Sequence, residues 1–376
     1  AYGRSLGLGM GGFGGPQNSL VAVAAKVLGM DETALIAELN AGKTIAARGM
    51  IVAPGFIDPH THVLEGVANA NETRRKAVGE VMQGVTTVTI GPDGRGPYDV
   101  ARIQAETEQK GLGVNTFAMV GFGTVRSTVM GNSSAPASPA QIDSMRTLID
   151  KGMREGSYGV GGGLFYAPQS YASTEEVIAV VSAARKYGGI YDSHHRDESS
   201  YTIGLLNSVR EAIRIGRESG LTTNLGHVKA LGVDVWGYAD SVLRLMREER
   251  ATGHMVVADQ YPWTASGTGL SAALLPRWSQ AGGRDSLQAR IADAATRARI
   301  LVEMRDNLRR RGGDSTILLI KGGANAKPYI GKTLRQVAAD KGSPPAETAL
   351  ELIRTGIDMG VASFNMTEQD IETFMK

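Results

Sequence analysis

The chain has 376 residues, 42% of them hydrophobic and 21% charged, enough apolar material for one large core or two modest ones. Lys and Arg (40) nearly balance Asp and Glu (38), and a formal net charge of +2 offers no electrostatic footprint for nucleic acid or an anionic membrane. Cysteine is absent, which excludes disulfides and thiolate zinc sites, and Lys26 interrupts the best apolar run short of the roughly 18 to 20 residues a membrane helix needs. Residues 1–18 are glycine-rich without apolar period and read as a lead. Asp31 can cap a helix carrying Leu35, Ile36 and Leu39 on one stripe, with Gly42 as its stop, so residues 1–48 form a lead plus a small helical appendage.

From Gly49 onward short apolar runs alternate with amphipathic stretches, the rhythm of βα units around a parallel sheet. Strands are predicted at 50–57, 85–90, 115–120, 158–161, 189–192, 222–225 and 255–258. Ser173-Thr-Glu-Glu176 reads as a capping box opening one helix, and residues 205–215 carry another amphipathic stripe. Beyond Ala258 the pattern gives a loop-rich stretch, a strand at 316–320, and helices at 333–339, 347–354 and from 368 to the end. Residues 49–376 are therefore expected to form an α/β, TIM-like barrel lacking its eighth strand and incomplete at the C-terminus. An open barrel has unpaired edges, so self-association into a homo-oligomer is expected. The partner is a small molecule rather than nucleic acid or membrane, and the location cytoplasmic; a first residue Ala1 is compatible with earlier signal-peptide removal.

Five of the six histidines fall at or just past the C-terminal ends of predicted strands, which is the active-site face of a β/α barrel. Extended geometry points His60 and His62 to one side after the first strand, while His194 and His227 follow the fifth and sixth. Imidazoles converging from several walls are what a catalytic metal with one open position needs. His195 points away from His194, and His254 precedes its strand, so both read as structural.

At this point a resemblance becomes specific. Ala53-Pro-Gly-Phe-Ile-Asp-Pro-His-Thr-His62, Gln83-Gly-Val-Thr-Thr87, Ser193-His-His-Arg-Asp-Glu198, Gly226-His-Val-Lys-Ala230 and Asp259-Gln-Tyr-Pro-Trp-Thr-Ala-Ser266 follow, in order, motifs of the N-acyl-D-amino-acid deacylase (D-aminoacylase) branch of the amidohydrolases. The resemblance implies a distorted β/α barrel, one or two zinc or other divalent ions, and hydrolysis of the amide of N-acyl-D-amino acids or D-residue peptides by a metal-activated water. Carried onto this sequence, His60 and His62 resemble the pair at the first metal, and His194 and His227 the ligands of the second. Asp93 takes the place of a metal-bridging cysteine, although Pro92-Asp93-Gly94 also reads as a plain turn. Tyr166, Lys229 and Tyr261 resemble substrate-binding groups, with Arg196 and Ser266 as further candidates.

Three departures accompany the resemblance. The family's base is an aspartate ending the eighth strand, and no counterpart is found: Asp370 lies in a polar helical pattern, with no apolar strand before it, and reads as solvent-exposed. Gly121-Phe-Gly123 and Gly161-Gly-Gly163 stand where relatives carry polar side chains. The usual β-sandwich segments are not recognisable, so the chain reads as truncated or rearranged at both ends. Cyclic amidohydrolases use a fourth-strand lysine that residues 158–166 lack; a catalytically silent metal-binding barrel fragment is the other alternative.

Overall fold

The computed structural model describes residues 31, 33–34, 53–63 and 72–376. The glycine-rich lead and most of the expected appendage lie outside them; within them the Asp31 carboxylate accepts from the N–H groups of Thr33 (2.9 Å) and Ala34 (3.2 Å), as a capping residue does.

Each predicted strand has a counterpart: β1 (Phe56–Asp58), β2 (Val85–Ile90), β3 (Asn115–Gly121), β4 (Gly159–Gly163), β5 (Ile190–His194), β6 (Thr222–Leu225) and β7 (Val256–Ala258); β1 is shorter than the expected 50–57, since residues 53–55 are not strand and 50–52 lie outside the described residues. They make one parallel sheet whose spatial order is the chain order. In a flat sheet β1 and β6 would stand five spacings of about 4.8 Å apart. The rings of His60 and His227, which follow those strands, are nevertheless 4.5 Å apart, so the sheet curls into a barrel wall, with β1 and β7 unpaired to each other. No further parallel strand joins β7 among the described residues.

Helices pack outside the wall. Pro139–Arg154 opens with a full capping box in which Ser138 and Gln141 satisfy each other's backbone donors. Leu205–Ser219 turns Leu205, Val209, Ala212 and Ile213 inward and stops at Gly220, whose φ of 75° suits a residue without Cβ. Only half of the box expected at Ser173 forms: its hydroxyl accepts from Glu176 N (3.1 Å), but the Glu176 carboxylate turns to Arg126 Nε (2.8 Å) and Ala137 N (3.2 Å). A buried guanidinium beside it is a stronger partner than the helix's own end.

Past β7 the chain is more ordered than its loop-like composition suggests. β8 (Ala265–Gly269), β9 (Ile317–Lys321) and β10 (Gly360–Phe364) form an antiparallel sheet in the order β8-β10-β9. The helices Ala294–Arg310 and Pro345–Arg354 close over it around a second core that includes Ile300, Met304, Ile317, Leu319, Leu350 and Val361. The expected strand at 316–320 is β9, and the predicted helices are Leu334–Lys341, Pro345–Arg354 and Glu368–Phe374. Two expectations are corrected here. A strand, β10, does precede the last helix, and Asp370 is buried, only 3% exposed. Its carboxylate accepts from Gly237 N (2.9 Å) and Ala239 N (3.2 Å), tying the last helix to the start of the Ala239–Ala251 helix. No described helix is long and apolar enough to cross a membrane.

Candidate metal centre

The turn after β1 is pinned before its histidines are used. Asp58 accepts the His60 N–H (3.0 Å), and the Thr61 hydroxyl donates to Thr89 O on β2 (2.6 Å), so His60 and His62 flank a fixed residue. Both reach the carboxylate of Asp93, which follows β2: His60 Nε2 lies 3.4 Å from Oδ1 and His62 Nε2 3.5 Å from Oδ2. From the far side of the barrel, His194 Nδ1 approaches Asp93 Oδ1 to 3.2 Å and His227 Nε2 to 3.4 Å. The five residues expected to ligate metal are thus brought to one point. Asp93 is both things its sequence suggested: it sits in the turn, at φ 56°, and its side chain meets the histidines.

Two triplets, His60-His62-Asp93 and Asp93-His194-His227, each offer donor atoms within 4.8 Å of one another. His60 Nε2 and Asp93 Oδ1 are buried with no hydrogen-bond partner, which is costly unless something else completes them. Nitrogen and oxygen donors in such a cluster fit zinc, and also manganese or cobalt. Electrostatics hold the carboxylate ready. Burial pushes the Asp93 carboxyl upward, but His194 and then His227 and His60 outweigh it and keep the group well below the usual range. Burial likewise disfavours protonated His60, yet Asp192 and Asp93 hold that imidazole well above the ordinary histidine value.

A surrounding layer, absent from the sequence expectations, orients these groups. Asp192 Oδ1 lies 3.3 Å from His60 Nδ1 and accepts from Asn224 Nδ2 (2.8 Å). Asn224 also donates to Asp259 (2.7 Å), whose other oxygen accepts the His227 N–H (2.6 Å). That bond supports His227 at φ 35°, a strained conformation for any residue but glycine. Asp192 precedes His194 by two positions on one strand, and Asp259 directly follows β7; the alternation rule that put His60 and His62 on one side would have found Asp192 as well.

Lys229 is not a free cation. Its ammonium pairs with Glu198 and lies 2.7 Å from His227 Nδ1, with only 4% of the side chain exposed. Burial pushes the Glu198 carboxyl upward, but Lys229, His194 and His227 outweigh it and hold the group well below its usual range. Tyr166 stacks on His194 (4.7 Å between centroids) and reaches Thr268 of β8 (3.4 Å), joining the second sheet to the mouth of the barrel. Tyr261 lies under the Lys229 ammonium, 5.7 Å from its ring centre. Arg196 is fully engaged, clasping Glu211 through Nε and Nη2 and donating to the carbonyls of Ser170 and Ala172. Ser266 donates to Asn365 (3.1 Å). His195 is buried, which pushes it down to about 3, and His254 meets Thr223 at 2.9 Å; neither joins the cluster.

A sequence profile of the amidohydrolase family matches residues 43–89. The D-aminoacylase of Alcaligenes xylosoxydans xylosoxydans is 32% identical over 264 residues, 63% of this chain and 53% of that protein. An N-acyl-D-aspartate deacylase of the same organism is 30% identical over 311 residues, 73% of this chain and 60% of that protein. Among solved structures, a D-aminoacylase studied for its binuclear metal center superposes with a TM-score of 0.65 at 26% identity, covering 85% of this chain and 62% of that one. The chain therefore spans between half and two thirds of the length of these relatives. By sequence and by fold it is a relative of the D-aminoacylases, within the amidohydrolases.

Proposed function

We propose that this barrel is a metal-dependent amide hydrolase acting on N-acyl-D-amino acids or D-residue peptides, with zinc as its natural metal. The observation that carries the reading is one buried carboxylate, Asp93, met by four histidines from three other strand ends at the C-terminal mouth of a parallel sheet. His60, His62 and Asp93 would hold one ion, and Asp93, His194 and His227 a second. A bound divalent ion supplies Lewis acidity, polarising the amide carbonyl and acidifying water.

The chain's own residues do the rest. Asp192 fixes the His60 ring so that Nε2 faces inward, and Lys229 with Glu198 does the same for His227. Tyr166, beside His194, and Tyr261, beside Lys229, would offer aromatic surface to a substrate. Lys229 can meet a substrate carboxylate only by sharing its ammonium with Glu198. Arg196, committed to Glu211, acts as a brace for the loop that carries Ser170 and Ala172. No eighth-strand aspartate is found among the described residues, so the base is left unassigned. β4, Gly159–Gly163, has no lysine, which disfavours the cyclic-amide chemistry.

The test is hydrolysis of N-acetyl-D-amino acids against their L-isomers, on protein stripped of metal and then reloaded with zinc, beside His194→Ala. Zinc-dependent turnover of the D-isomers that the variant lacks is expected. Tight zinc uptake with no turnover of either isomer would instead favour the catalytically silent barrel.

A further inference from the structure

The glycines noted as departures, at the ends of β3 and β4, sit directly beneath the loop that carries Asp93. A Cβ on Gly121 would lie 2.4 Å from Gly94 O, one on Gly161 2.9 Å from Gly91 O, and one on Gly163 2.2 Å from Asp93 O. The strand ends are therefore a flat seat, against which the 91–96 loop lies backbone to backbone.

One side chain locks the loop to that seat. Gln169, 3% exposed, donates from Nε2 to Asp93 O (2.8 Å) and accepts the Gly163 N–H at Oε1 (2.7 Å). Both ends of the carboxamide are used, and the network fixes which end is which. Its space is reserved as well: a Cβ on Gly94 or Gly123 would fall 2.1 or 2.4 Å from Gln169 amide atoms. Asp93 itself stands at φ 56°, which a non-glycine residue keeps only when its surroundings over-determine it.

We propose that Gln169 is a positioning residue for the metal centre: by clamping the Asp93 carbonyl to β4 it holds the backbone in the left-handed conformation that aims the Asp93 carboxylate at the four histidines. On this reading, which rests on the metal-centre assignment above, the aspartate at the bridging position and the four glycines beneath it are one packing unit. Gln169 reaches no histidine and acts only through the Asp93 backbone.

The test is cobalt(II) titration of metal-stripped protein, followed by the visible d–d absorption of the bound ion, for the parent chain, Gln169→Met and Gln169→Glu. Gln169→Met keeps the volume and loses both hydrogen bonds; Gln169→Glu keeps the acceptor for Gly163 but turns an oxygen toward the Asp93 carbonyl. Both are expected to weaken cobalt binding roughly 10- to 100-fold, the usual effect of removing an outer-shell partner, and to alter the absorption band. Uptake by Gln169→Met with the parent's affinity and spectrum would overturn the clamp while leaving the metal centre intact. A parent chain that takes up no cobalt would overturn the metal-centre assignment and the clamp together. Should Gln169→Met fail to fold, the same two readings on Gln169→Glu decide.

Discussion

The pairing of Lys229 with Glu198 decides whether this cation is a structural partner or a free hand for substrate, and a double-mutant cycle on metal-free protein reads it directly. Both residues are at most 5% exposed, and among the described residues Glu198 faces no cation but Lys229 apart from the imidazoles of His227 (3.4 Å) and His194 (3.9 Å). Removing one partner of a buried pair strands the other charge, at a cost of about 3–5 kcal/mol. Lys229→Met should fall at the low end, about 3 kcal/mol, because His227 still offers Glu198 a donor. Glu198→Leu should cost a similar amount, since it leaves the buried ammonium without its carboxylate. Replacing both partners with apolar side chains, Glu198→Leu together with Lys229→Met, removes both desolvation costs and should lose no more than about 1–2 kcal/mol. Urea unfolding at fixed slope gives each value. Single losses under about 1 kcal/mol that simply add would refute the pairing and return Lys229 to the role of free carboxylate ligand. The pH dependence follows with its sign. Glu198 is depressed in the folded state, so its contribution is complete above the unfolded value near 4.5 and is lost as pH falls below it; the Glu198→Gln variant should flatten that acid limb.

Three further outcomes are expected. Asp234, held down to about 2 chiefly by Arg309 and Ser200, links the loop after β6 to the Ala294–Arg310 helix; its contribution should be present above pH 4, fade toward pH 2, and vanish in Asp234→Asn, with a loss below about 1 kcal/mol because the pair is partly solvated. In Gly226→Ala the new methyl would lie 2.8 Å from the His60 ring, so zinc affinity should drop while the metal-free melting temperature changes little; unchanged affinity by competitive chelation would contradict that packing. Chelation of the zinc-loaded protein should lower stability by about 4 kcal/mol if free zinc stood at a thousand times its Kd, and equal melting curves with and without chelator would argue against a resident metal.

Several of the wall strands were legible as short runs of β-branched and apolar residues bounded by turns, as Val85–Ile90 and Asn115–Val120 show. The histidines were legible because strand ends mark the functional face of such a barrel. β8 and β10 were not. Ala-Ser-Gly-Thr-Gly and Gly-Val-Ala-Ser-Phe carry almost no apolar signal, since β8 buries one residue, Ser266, and β10 two, Val361 and Ser363. Their pairing also joins segments some ninety positions apart, with register Gly360 to Gly269 through Phe364 to Ala265, and no local pattern encodes such a partner. Asp370 escapes a local reading for the same reason: the N–H groups it accepts from, those of Gly237 and Ala239, lie at the start of a different helix, so its own polar surroundings suggest solvent.

The least legible layer is the one that orients the clustered histidines and Asp93, and the reason is physical. A metal ligand is recognisable by type, because few side chains can do its work, whereas the group behind it needs only a hydrogen-bonding atom at the right distance. Asp192, Asn224, Asp259, Glu198 and Gln169 each come from a different strand or loop than the residue they steady, apart from the short step from Glu198 back to His194. Two of the residues they steady, Asp93 and His227, are also held at positive φ, at 56° and 35°. Strain of this kind persists only where several contacts converge, and two of the three non-glycine residues at positive φ among the described ones fall in this cluster, the third being Ala77 at the start of the Val78–Val81 helix.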